Sequence, residues 1–560
     1  MKKILSVFLV LLMLVPFFSM QTFAWEEEFS VEFEKDGIYY YQTEENEVYA
    51  WAYEPASEEE GTEELVIPET VKYNRETYVV TGIDDEAFFE SHYSKVILPE
   101  TIEYMGDDAF WGSAMLEEIV IPDTCEFEYF GANAFTGTPA EGRFFEKDVN
   151  VIGKNVLYSY MSQEKEFTIP DYITILASGC FMYSGIEKVT FNENITEIPD
   201  VAFCCCMNLK EITIPDGIIY LGDSAFKDCI NLEKVTLGKD VQYIALSCFA
   251  NTKIETIHLG AAVEDVQGAF HSCNNLKNVT VDENNKCYYT DENALYRLYE
   301  FESFDENGKE IIEKYPSLEY YFGGNTAEGY KVKNDIEEIG MYAFYNCKTL
   351  KSIDLSDVTY IGTKAFANSA IENVKLDSCD YISEAAFTNC KNLKEIDLSN
   401  VASVGVSAFE NCTNLKTVVL GDYLSFVDGL AFANTAIEKI EIYGEDTFVG
   451  EDAFKSCKEL KEVTFGDGVW YIGSNVLRYC DKVESVYISK TVQLLEDDTF
   501  ADCEHINFKL IKGSYAYKHI KALGYDFEIV GRLTFFESIA EFFRSVYDFL
   551  FGWIFNIMLY

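Results

Sequence analysis

The residues of this chain most able to do chemistry are its 16 cysteines. Cysteines at this number in an exported protein would suggest disulfide bonds. Nine of them, however, stand three residues after a recurring phenylalanine or leucine, where other copies carry serine or threonine. Such a position is small and buried, with a weak hydrogen bond available. We therefore predict a structural ladder of Cys206, Cys229, Cys273, Cys347, Cys390, Cys412, Cys457, Cys480 and Cys503.

Neighbouring ladder side chains should run parallel and in register, which gives poor Cβ geometry for a disulfide. The thiols would then stay free, as in a reducing or anaerobic habitat. Cys204-Cys205-Cys206 is the one cluster in which a disulfide stays open as an alternative.

Other catalytic or metal-binding patterns are not evident in the sequence. The five histidines (His92, His258, His271, His505 and His519) lack the spacing of a metal site. Asp305-Glu306-Asn307-Gly308 resembles part of a calcium loop, but Lys309 and the missing later ligands argue against it. We find no nucleophile elbow and no phosphate loop. We expect neither a cofactor, a metal nor enzymatic activity; an exported enzyme, or the targeting subunit of one, is the least favoured of three hypotheses.

The cysteines belong to a unit that recurs mostly every 21 to 25 residues, a period within the range of leucine-rich repeats. One copy reads Ala386-Phe387-x-x-Cys390-x-x-Leu393-x-x-Ile396-x-Leu398. Ile396 and Leu398 alternate with Asp397, which predicts a strand whose apolar side points inward. A single repeat cannot bury its apolar face, so the copies must stack. About eighteen stacked coils, with parallel strands about 4.8 Å apart, are expected.

The full pattern, Ile-Pro followed by Ile-Gly-x-x-Ala-Phe-x-x-Cys-x-x-Leu, resembles that of the BspA-like leucine-rich repeat family of bacterial surface proteins over roughly residues 65–530. The resemblance implies a right-handed, β-rich leucine-rich-repeat solenoid with few short helices. It also implies adhesion to host proteins or to other cells.

Departures from the repeat divide the chain into seven segments. They are a signal peptide (1–24), an N-terminal β cap (25–80), a first repeat block (81–282), an irregular coil with a protruding hairpin (283–335), a second repeat block (336–505), a C-terminal cap (506–530) and an amphipathic, aromatic tail helix (531–560). The C-terminal cap should contain a helix at about Tyr515 to Leu523. Asn307-Gly308 between strand-like segments predicts the hairpin, which is either an ordinary irregular coil or a functional protrusion.

The N-terminus predicts export. Lys2 and Lys3 precede an apolar run, and Thr22-Phe23-Ala24 is a small-x-small site that predicts cleavage between Ala24 and Trp25. No lipobox cysteine follows, and no wall-sorting motif is visible. We expect a secreted or cell-surface protein.

The formal net charge of −53 narrows the class of partner. Such a surface repels nucleic acid and anionic lipid. We expect no nucleic-acid partner, and instead a protein or another extracellular macromolecule. The sequence leaves the oligomeric state open.

The outward middle positions of the predicted strands are the candidate partner-binding strip: Thr190, Thr213, Thr236, His258, Thr280, Asp354, Lys375, Asp397, Glu441, Thr464 and Tyr487. The threonines have a structural explanation, because β-branched residues suit strands and can pair across them. The later positions are chemically varied. Such variety is typical of a recognition strip, and it is also typical of a solvated face whose residues vary without a binding role.

The tail has a narrow polar stripe at Glu537, Glu541, Arg544, Asp548, Gly552 and Asn556 on a predicted helix that is otherwise apolar and aromatic. It is too short and too charged for a membrane span. Two interpretations remain, a peripheral membrane or envelope contact and a helix that covers the last coil. The main hypothesis is macromolecular binding through the solenoid strands; the alternative is a structural surface or matrix component that self-associates through this tail.

Overall fold

The computed structural model describes residues 31–44, 46–53, 64–304, 310–503, 505–542 and 544. Three predicted features lie outside these residues: the signal peptide with its cleavage site at Ala24 and Trp25, the calcium-like loop 305–308, and the part of the tail that follows residue 544.

Short strands are the main regular secondary structure of the described chain. In the first half they are β1 (Glu32–Lys35), β2 (Ile38–Glu44), β3 (Glu47–Tyr53), β4 (Glu64–Val66), β5 (Thr70–Tyr73), β6 (Glu76–Ile83), β7 (Lys95–Ile97), β8 (Tyr104–Met105), β9 (Glu118–Val120), β10 (Tyr129–Phe130), β11 (Val149–Ile152), β12 (Val156–Tyr160), β13 (Glu166–Thr168), β14 (Ile175–Leu176), β15 (Lys188–Thr190), β16 (Glu197–Ile198), β17 (Glu211–Thr213), β18 (Tyr220–Leu221), β19 (Lys234–Thr236), β20 (Tyr243–Ile244), β21 (Thr256–Leu259) and β22 (Asn278–Val281).

In the second half they are β23 (Tyr288–Thr290), β24 (Ala294–Phe304), β25 (Glu310–Tyr321), β26 (Gly329–Lys331), β27 (Glu338–Ile339), β28 (Ser352–Asp354), β29 (Tyr360–Ile361), β30 (Asn373–Lys375), β31 (Tyr381–Ile382), β32 (Glu395–Leu398), β33 (Ser403–Val404), β34 (Thr417–Leu420), β35 (Phe426–Val427), β36 (Lys439–Ile442), β37 (Thr447–Val449), β38 (Glu462–Phe465), β39 (Val469–Ile472), β40 (Ser485–Ile488), β41 (Leu494–Leu495), β42 (Asn507–Lys512) and β43 (Phe527–Arg532).

Helices are few. A 3-10 helix spans Glu141–Phe145 and an α-helix, α1, spans Tyr515–Leu523. Residues 535–542 and 544 are also helical, and we call them the tail helix. Within the described part of the chain, no helix combines the length and the apolar character needed to cross a membrane. The predicted leucine-rich β-solenoid is confirmed.

The chain forms two compact units, Met1–Phe144 with Ile152–Lys154, and Phe145–Val151 with Asn155–Tyr560. In the first unit β1, β2 and β3 form an antiparallel meander, and β3 then pairs in parallel with β6. The sheet continues through β8 and β10, while β4, β7 and β9 form a second parallel sheet. An antiparallel start followed by parallel coils is what a capped solenoid requires, because the cap covers the apolar end of the first coil.

In the second unit the parallel strands lie on two faces. The front face carries the strands of the predicted strip, in sheets such as β26-β28-β30 and β36-β38-β40-β42-β43. The side face carries mostly two-residue strands, which continue as one 11-stranded sheet from β23 to β41.

Each coil turns a corner at its Ala-Phe pair. Lys364 and Asn368 bracket one such pair with φ angles of 55° and 59°, in the left-handed region. Asparagine tolerates this region better than most residues, which suits its recurrence at the second position. Just before the corner, a Cβ on Gly450 would come 2.6 Å from the Gly429 nitrogen of the preceding coil. Glycine is required there because the two backbones approach so closely.

The core is a column of phenylalanine rings, one per coil. From Phe344 through Phe366, Phe387, Phe409 and Phe432, successive centroids lie 4.7 to 5.3 Å apart and the ring planes differ by 2 to 8°. All five rings are buried. A phenylalanine ring is the largest side chain that such a coil buries, beside its leucine, isoleucine and valine residues.

The irregular coil interrupts this column. Strands β24 and β25 pair antiparallel over their whole length, with Ala294 opposite Tyr321 at the base and Phe304 opposite Glu310 at the far end. The ring centroids of Phe270 and Tyr320 lie 6.2 Å apart, and the ring of the neighbouring Tyr321 stacks on that of Phe344 with centroids 5.0 Å apart. Two tyrosines at the base of the hairpin therefore carry the aromatic column from the first block into the second.

The C-terminal cap is a strand, a helix and a strand. Helix α1 begins at Ser514, whose side chain accepts a hydrogen bond from the Tyr517 amide, and ends at Gly524, which adopts φ 84°. Ala516 and Ile520 are its buried residues. The residues Tyr515–Leu523 are those predicted from the sequence, because both helix ends carry an ordinary cap signal.

Candidate functional site

The predicted strip lies on the front face of the second unit, and its residues pair in short runs. Thr213 is opposite Thr236, and His258 is opposite Thr280. Asp354 is opposite Lys375, and Glu441, Thr464 and Tyr487 form a row of three. Thr190 and Asp397 instead pair with Thr168 and Val419. Asp354, Thr464 and Tyr487 are half-buried and the other eight are exposed.

Two carboxylates of the strip have local structural partners. Asp354 accepts hydrogen bonds from the backbone amide of Ser356 at 3.1 Å and from its hydroxyl, and Asp397 does the same with Ser399, whose amide lies at 3.0 Å. The bond from Ser356 is the main cause that lowers the pKa of Asp354. Both aspartates close the turn after their strand.

The first part of the strip is also internally bonded. His258 Nδ1 lies 2.9 Å from the Thr280 hydroxyl oxygen on the next coil. Such a cross-strand bond is a sheet contact of the kind worth about 0.2–1 kcal/mol. Glu441, Thr464 and Tyr487 form the longest run of strip residues that lie opposite one another on neighbouring strands.

The side face carries an aromatic row that the sequence analysis missed. It consists of Tyr360, Tyr381, Phe426, Phe448 and Tyr471, with Ser403 between Tyr381 and Phe426. The rings of Tyr360 and Tyr381 stack at 5.4 Å, and those of Phe448 and Tyr471 at 4.6 Å. Tyr381 is 40% and Phe426 38% exposed. The row is interrupted by Ser403, and its other three members are half-buried.

The sequence does contain a signal for this row. Each of its members directly precedes an inward Ile or Val, as in Tyr360-Ile361-Gly362 and Phe448-Val449-Gly450. The Ile-Gly step is part of the predicted repeat, whereas the residue before it has no fixed type in that pattern. Two-residue strands are too short for alternation to identify their outward position.

A shallow cavity of about 330 Å³ opens on the side face, among residues that precede this row in the sequence. It is lined by Tyr220, Tyr243, Leu246, Asp265, Gln267 and Met341, among others. Here the side-face sheet of the first block ends in a single bridge between Tyr243 and Asp265.

The nine predicted ladder cysteines are buried, and all 16 cysteines are free thiols. The Sγ of Cys412 donates to the carbonyl oxygen of Phe387 at 3.1 Å, one coil back, and Cys390 does the same with Phe366 at 3.0 Å. The Ser113 hydroxyl makes the same bond to Phe88. Burial raises the pKa of Cys390 to about 12, which leaves its thiol unreactive at neutral pH.

In the three-cysteine cluster, Cys206 is a ladder residue, whereas Cys204 and Cys205 are only half-buried. The Sγ atoms of Cys204 and Cys205 lie 3.7 Å apart. Burial, followed by the hydrogen bond to Cys205, raises the pKa of Cys204 to about 12.

The structure brings together a serine and a histidine that are distant in the sequence. His271 Nε2 lies 2.8 Å from the Ser247 hydroxyl oxygen, and Nδ1 lies 3.4 Å from the Ser272 hydroxyl oxygen. The ring stacks on Tyr342 at 4.8 Å. Burial, followed by the charge of Lys227, lowers the pKa of His271 to about 4. A nucleophile-activating histidine is usually oriented by a third group such as a carboxylate, whereas Nδ1 here faces a hydroxyl.

A buried carboxylate lies at the base of the hairpin. Glu319 is 2% exposed, and within the described chain neither of its carboxylate oxygens has a hydrogen-bond partner. Burial raises the pKa of Glu319 to about 8, against the opposing effect of Arg297. The Arg297 guanidinium lies 3.1 Å from Asp265 and 4.9 Å from the centroid of the Tyr299 ring. Glu319 is therefore mainly neutral at pH 7.

Among the described residues, no group of three or more histidine, cysteine, aspartate or glutamate side chains has the arrangement of a metal site.

Similarity to known proteins concerns the repeat. A BspA type leucine rich repeat region matches residues 81–210, 196–315, 318–428 and 398–507. No curated protein matches the chain significantly.

Solved structures resemble the chain at low sequence identity. A leucine rich cell surface protein from Faecalibacterium prausnitzii A2-165 is 20% identical, with 89% of this chain and 99% of that chain covered and a TM-score of 0.35. The pneumococcal vaccine antigen PcpA is 17% identical, with 89% and 98% covered and a TM-score of 0.38. A leucine-rich repeat protein from Bacteroides ovatus ATCC 8483 is 19% identical, with 86% and 100% covered and a TM-score of 0.27.

The repeat match extends over most of the chain and contains the Ala-Phe corners, the cysteine ladder and both strand faces. The chain therefore belongs to the BspA-type leucine-rich repeat family.

Proposed function

We propose that this protein is a secreted or cell-surface binding protein, without catalytic activity, that holds an extracellular macromolecule against the outer faces of its second unit. The observation that carries the proposal is the aromatic row Tyr360, Tyr381, Phe426, Phe448 and Tyr471, which is aligned along one sheet and interrupted only by Ser403, with Tyr381 and Phe426 exposed. Tyrosine, tryptophan and phenylalanine are the residues enriched at the centres of protein interfaces.

The row has an internal structural role, since its rings stack on one another. Stacking also fixes the side chains in advance, so little rotamer entropy is lost when a partner binds. Trp470, next to Tyr471 and 36% exposed, widens the apolar surface at one end. A partner that runs along the coils would meet an aromatic side chain about every 5 Å, except at the coil that carries Ser403.

The front face supplies charged groups to the proposed binding region. Lys439 pairs with Glu441 at 2.7 Å and with Glu462 at 3.8 Å, next to Thr464 and Tyr487. These groups are exposed, so their pairing adds little stability. Charges at the rim of an interface act mainly on partner choice and association rate. With a net charge of −53, a partner that carries basic groups is favoured.

Export to the cell surface is supported by the lysines and apolar run that open the sequence, and it agrees with the BspA-type repeat family. Several copies on one cell would turn weak contacts into strong attachment. Adhesion to host proteins or to other cells is the biological role that we propose.

The experiment is a binding assay on an immobilised panel of extracellular-matrix proteins, mucin and bacterial polysaccharides, read by interferometry. We expect the side-face variant Tyr381→Ala with Phe426→Ala to weaken binding about tenfold or more, because hot-spot aromatics cost over 1 kcal/mol when truncated. The front-face variant Glu441→Lys with Tyr487→Ala should change mainly the association rate and its salt dependence.

The matched control is Tyr172→Ala with Tyr183→Ala, which removes two exposed tyrosines of the first block. It should bind like the unmodified chain. If the side-face variant binds every member of the panel as tightly as the control does, or if nothing on the panel binds at all, the proposal is wrong.

A further inference from the structure

The tail helix is held by its polar side. Thr534 caps it, since the Thr534 amide donates to Glu537 at 2.7 Å and the Glu537 amide donates to the Thr534 hydroxyl at 3.4 Å. This reciprocal pair is a capping box, which explains why the helix begins there.

Three contacts then tie the polar stripe to the C-terminal coil. Glu537 pairs with Lys490 at 2.6 Å, and Glu541 with Lys518 at 3.0 Å. The Arg544 guanidinium donates to the carbonyl oxygen of Gln493 at 2.9 Å. The described part of the predicted stripe, Glu537, Glu541 and Arg544, is therefore turned toward the protein.

The aromatic side is turned outward as a consequence. Phe535 is 73%, Phe536 81% and Phe542 63% exposed, and Ile539 is 39% exposed. An amphipathic helix on a soluble protein ordinarily buries its apolar stripe and exposes its polar one. The tail helix has the opposite orientation, so it does not serve as an apolar cover for the last coil.

We propose that the tail helix is a lipid-surface anchor, which lies on a zwitterionic membrane with Phe535, Phe536 and Phe542 inserted at the interface. Aromatic side chains favour this interfacial layer, and a helix that presents one apolar face binds in its plane. The sequence continues with 16 residues, 545–560, in which Asp548 is the only charged side chain and Phe549, Phe551, Trp553 and Phe555 recur.

A second copy of the chain is a poorer match for this surface. The three exposed phenylalanines offer about 400 Å², taking about 200 Å² for each full side chain. A stable protein interface needs about 800 Å² on each partner. The charge of −53 also opposes close approach of two copies and of anionic lipid.

The test is flotation of the chain with phosphatidylcholine vesicles. Because the apolar run 4–18 could itself bind lipid, every protein starts at Trp25, which keeps all described residues. The unmodified chain should float, and Phe535→Ser with Phe536→Ser should reduce the floated fraction about tenfold or more. Replacing a third of the lipid with phosphatidylglycerol should weaken binding at low salt, and 0.5 M salt should restore it.

The matched control is Tyr172→Ser with Tyr183→Ser, which removes two similarly exposed aromatic side chains far along the sequence. It should float like the unmodified chain. Failure of the unmodified chain to float, or equal flotation of the phenylalanine variant, overturns the proposal. Vesicle-free dimers in sedimentation velocity that disappear with Phe535→Ser and Phe536→Ser, without flotation, would assign the surface to a second copy instead.

Discussion

Phe409→Ala should lower the free energy of unfolding by roughly 3–5 kcal/mol, because it deletes a fully buried ring and leaves a cavity. The ring stacks on Phe387 at 5.1 Å and on Phe432 at 5.3 Å, so both neighbours lose a partner. The backbone of the coil is tied on the same corner, where the Phe409 amide donates to the carbonyl oxygen of Ala431. Equilibrium urea unfolding measures the change.

The position of the damage is as informative as its size. Each coil contacts only its neighbours, so lost hydrogen-exchange protection should centre on the coils from Phe387 to Phe432 and fade away from them. Tyr423→Ala, at an exposed turn nearby, is the control and should change stability by less than about 0.5 kcal/mol. A Phe409→Ala loss as small as that of the control would contradict the stacked aromatic core.

Glu319→Gln should remove a large part of the pH dependence of stability. The carboxyl group has a pKa of about 8 in the folded chain, raised from an ordinary value of 4.5. A group with a raised folded pKa contributes stability that is fully present below pH 4.5 and is lost as the pH rises through 8. Relative to the variant, the native chain should therefore lose roughly 3–5 kcal/mol between pH 4.5 and pH 9.

The charged and titratable groups that face Glu319 determine this shift. Asp265 and Glu338 disfavour a negative charge on Glu319, whereas Arg297 favours it. Tyr288 and Tyr299 are neutral up to high pH, because burial raises the pKa of both. Burial is the largest cause, and it outweighs Arg297 because that guanidinium already pairs with Asp265.

The measurement is urea unfolding at pH 5, 7 and 9 for the native chain and the variant. Any packing cost of the amide is independent of pH, so the slope is the readout. Glu300→Gln is the control: Glu300 lies on the exposed part of the hairpin and pairs with Lys314. It should follow the native pH profile. Parallel profiles for Glu319→Gln and the native chain would show that Glu319 is ionised in the fold.

The repeat predicted the front face because four residues such as Glu395–Leu398 alternate strictly between buried and exposed. The helix predicted at about Tyr515 to Leu523 lies at those residues, where Ser514 and Gly524 cap its two ends. Both features are local, and local physics is written directly in the sequence.

The features that the sequence left open depend on contacts between coils. The burial of Glu319 follows from the irregular base of the hairpin, which no period describes. The polar stripe of the tail shows which residues share one side of the helix. Which side faces the protein is decided by Lys490 and Lys518, which lie 47 and 23 residues before their partners Glu537 and Glu541. The aromatic row appears only when two-residue strands are stacked in register.

The most direct test of the proposed binding surface is hydroxyl-radical footprinting of the chain alone and saturated with the panel member that it binds most tightly. Tyr381, Phe426 and Trp470 are exposed and oxidise readily, so each reports on its own part of the side face. The account predicts that their oxidation slows on binding while Tyr172 and Tyr183 stay unchanged. Unchanged oxidation of the row, with protection confined to the hairpin or to Phe535 and Phe536, would contradict it.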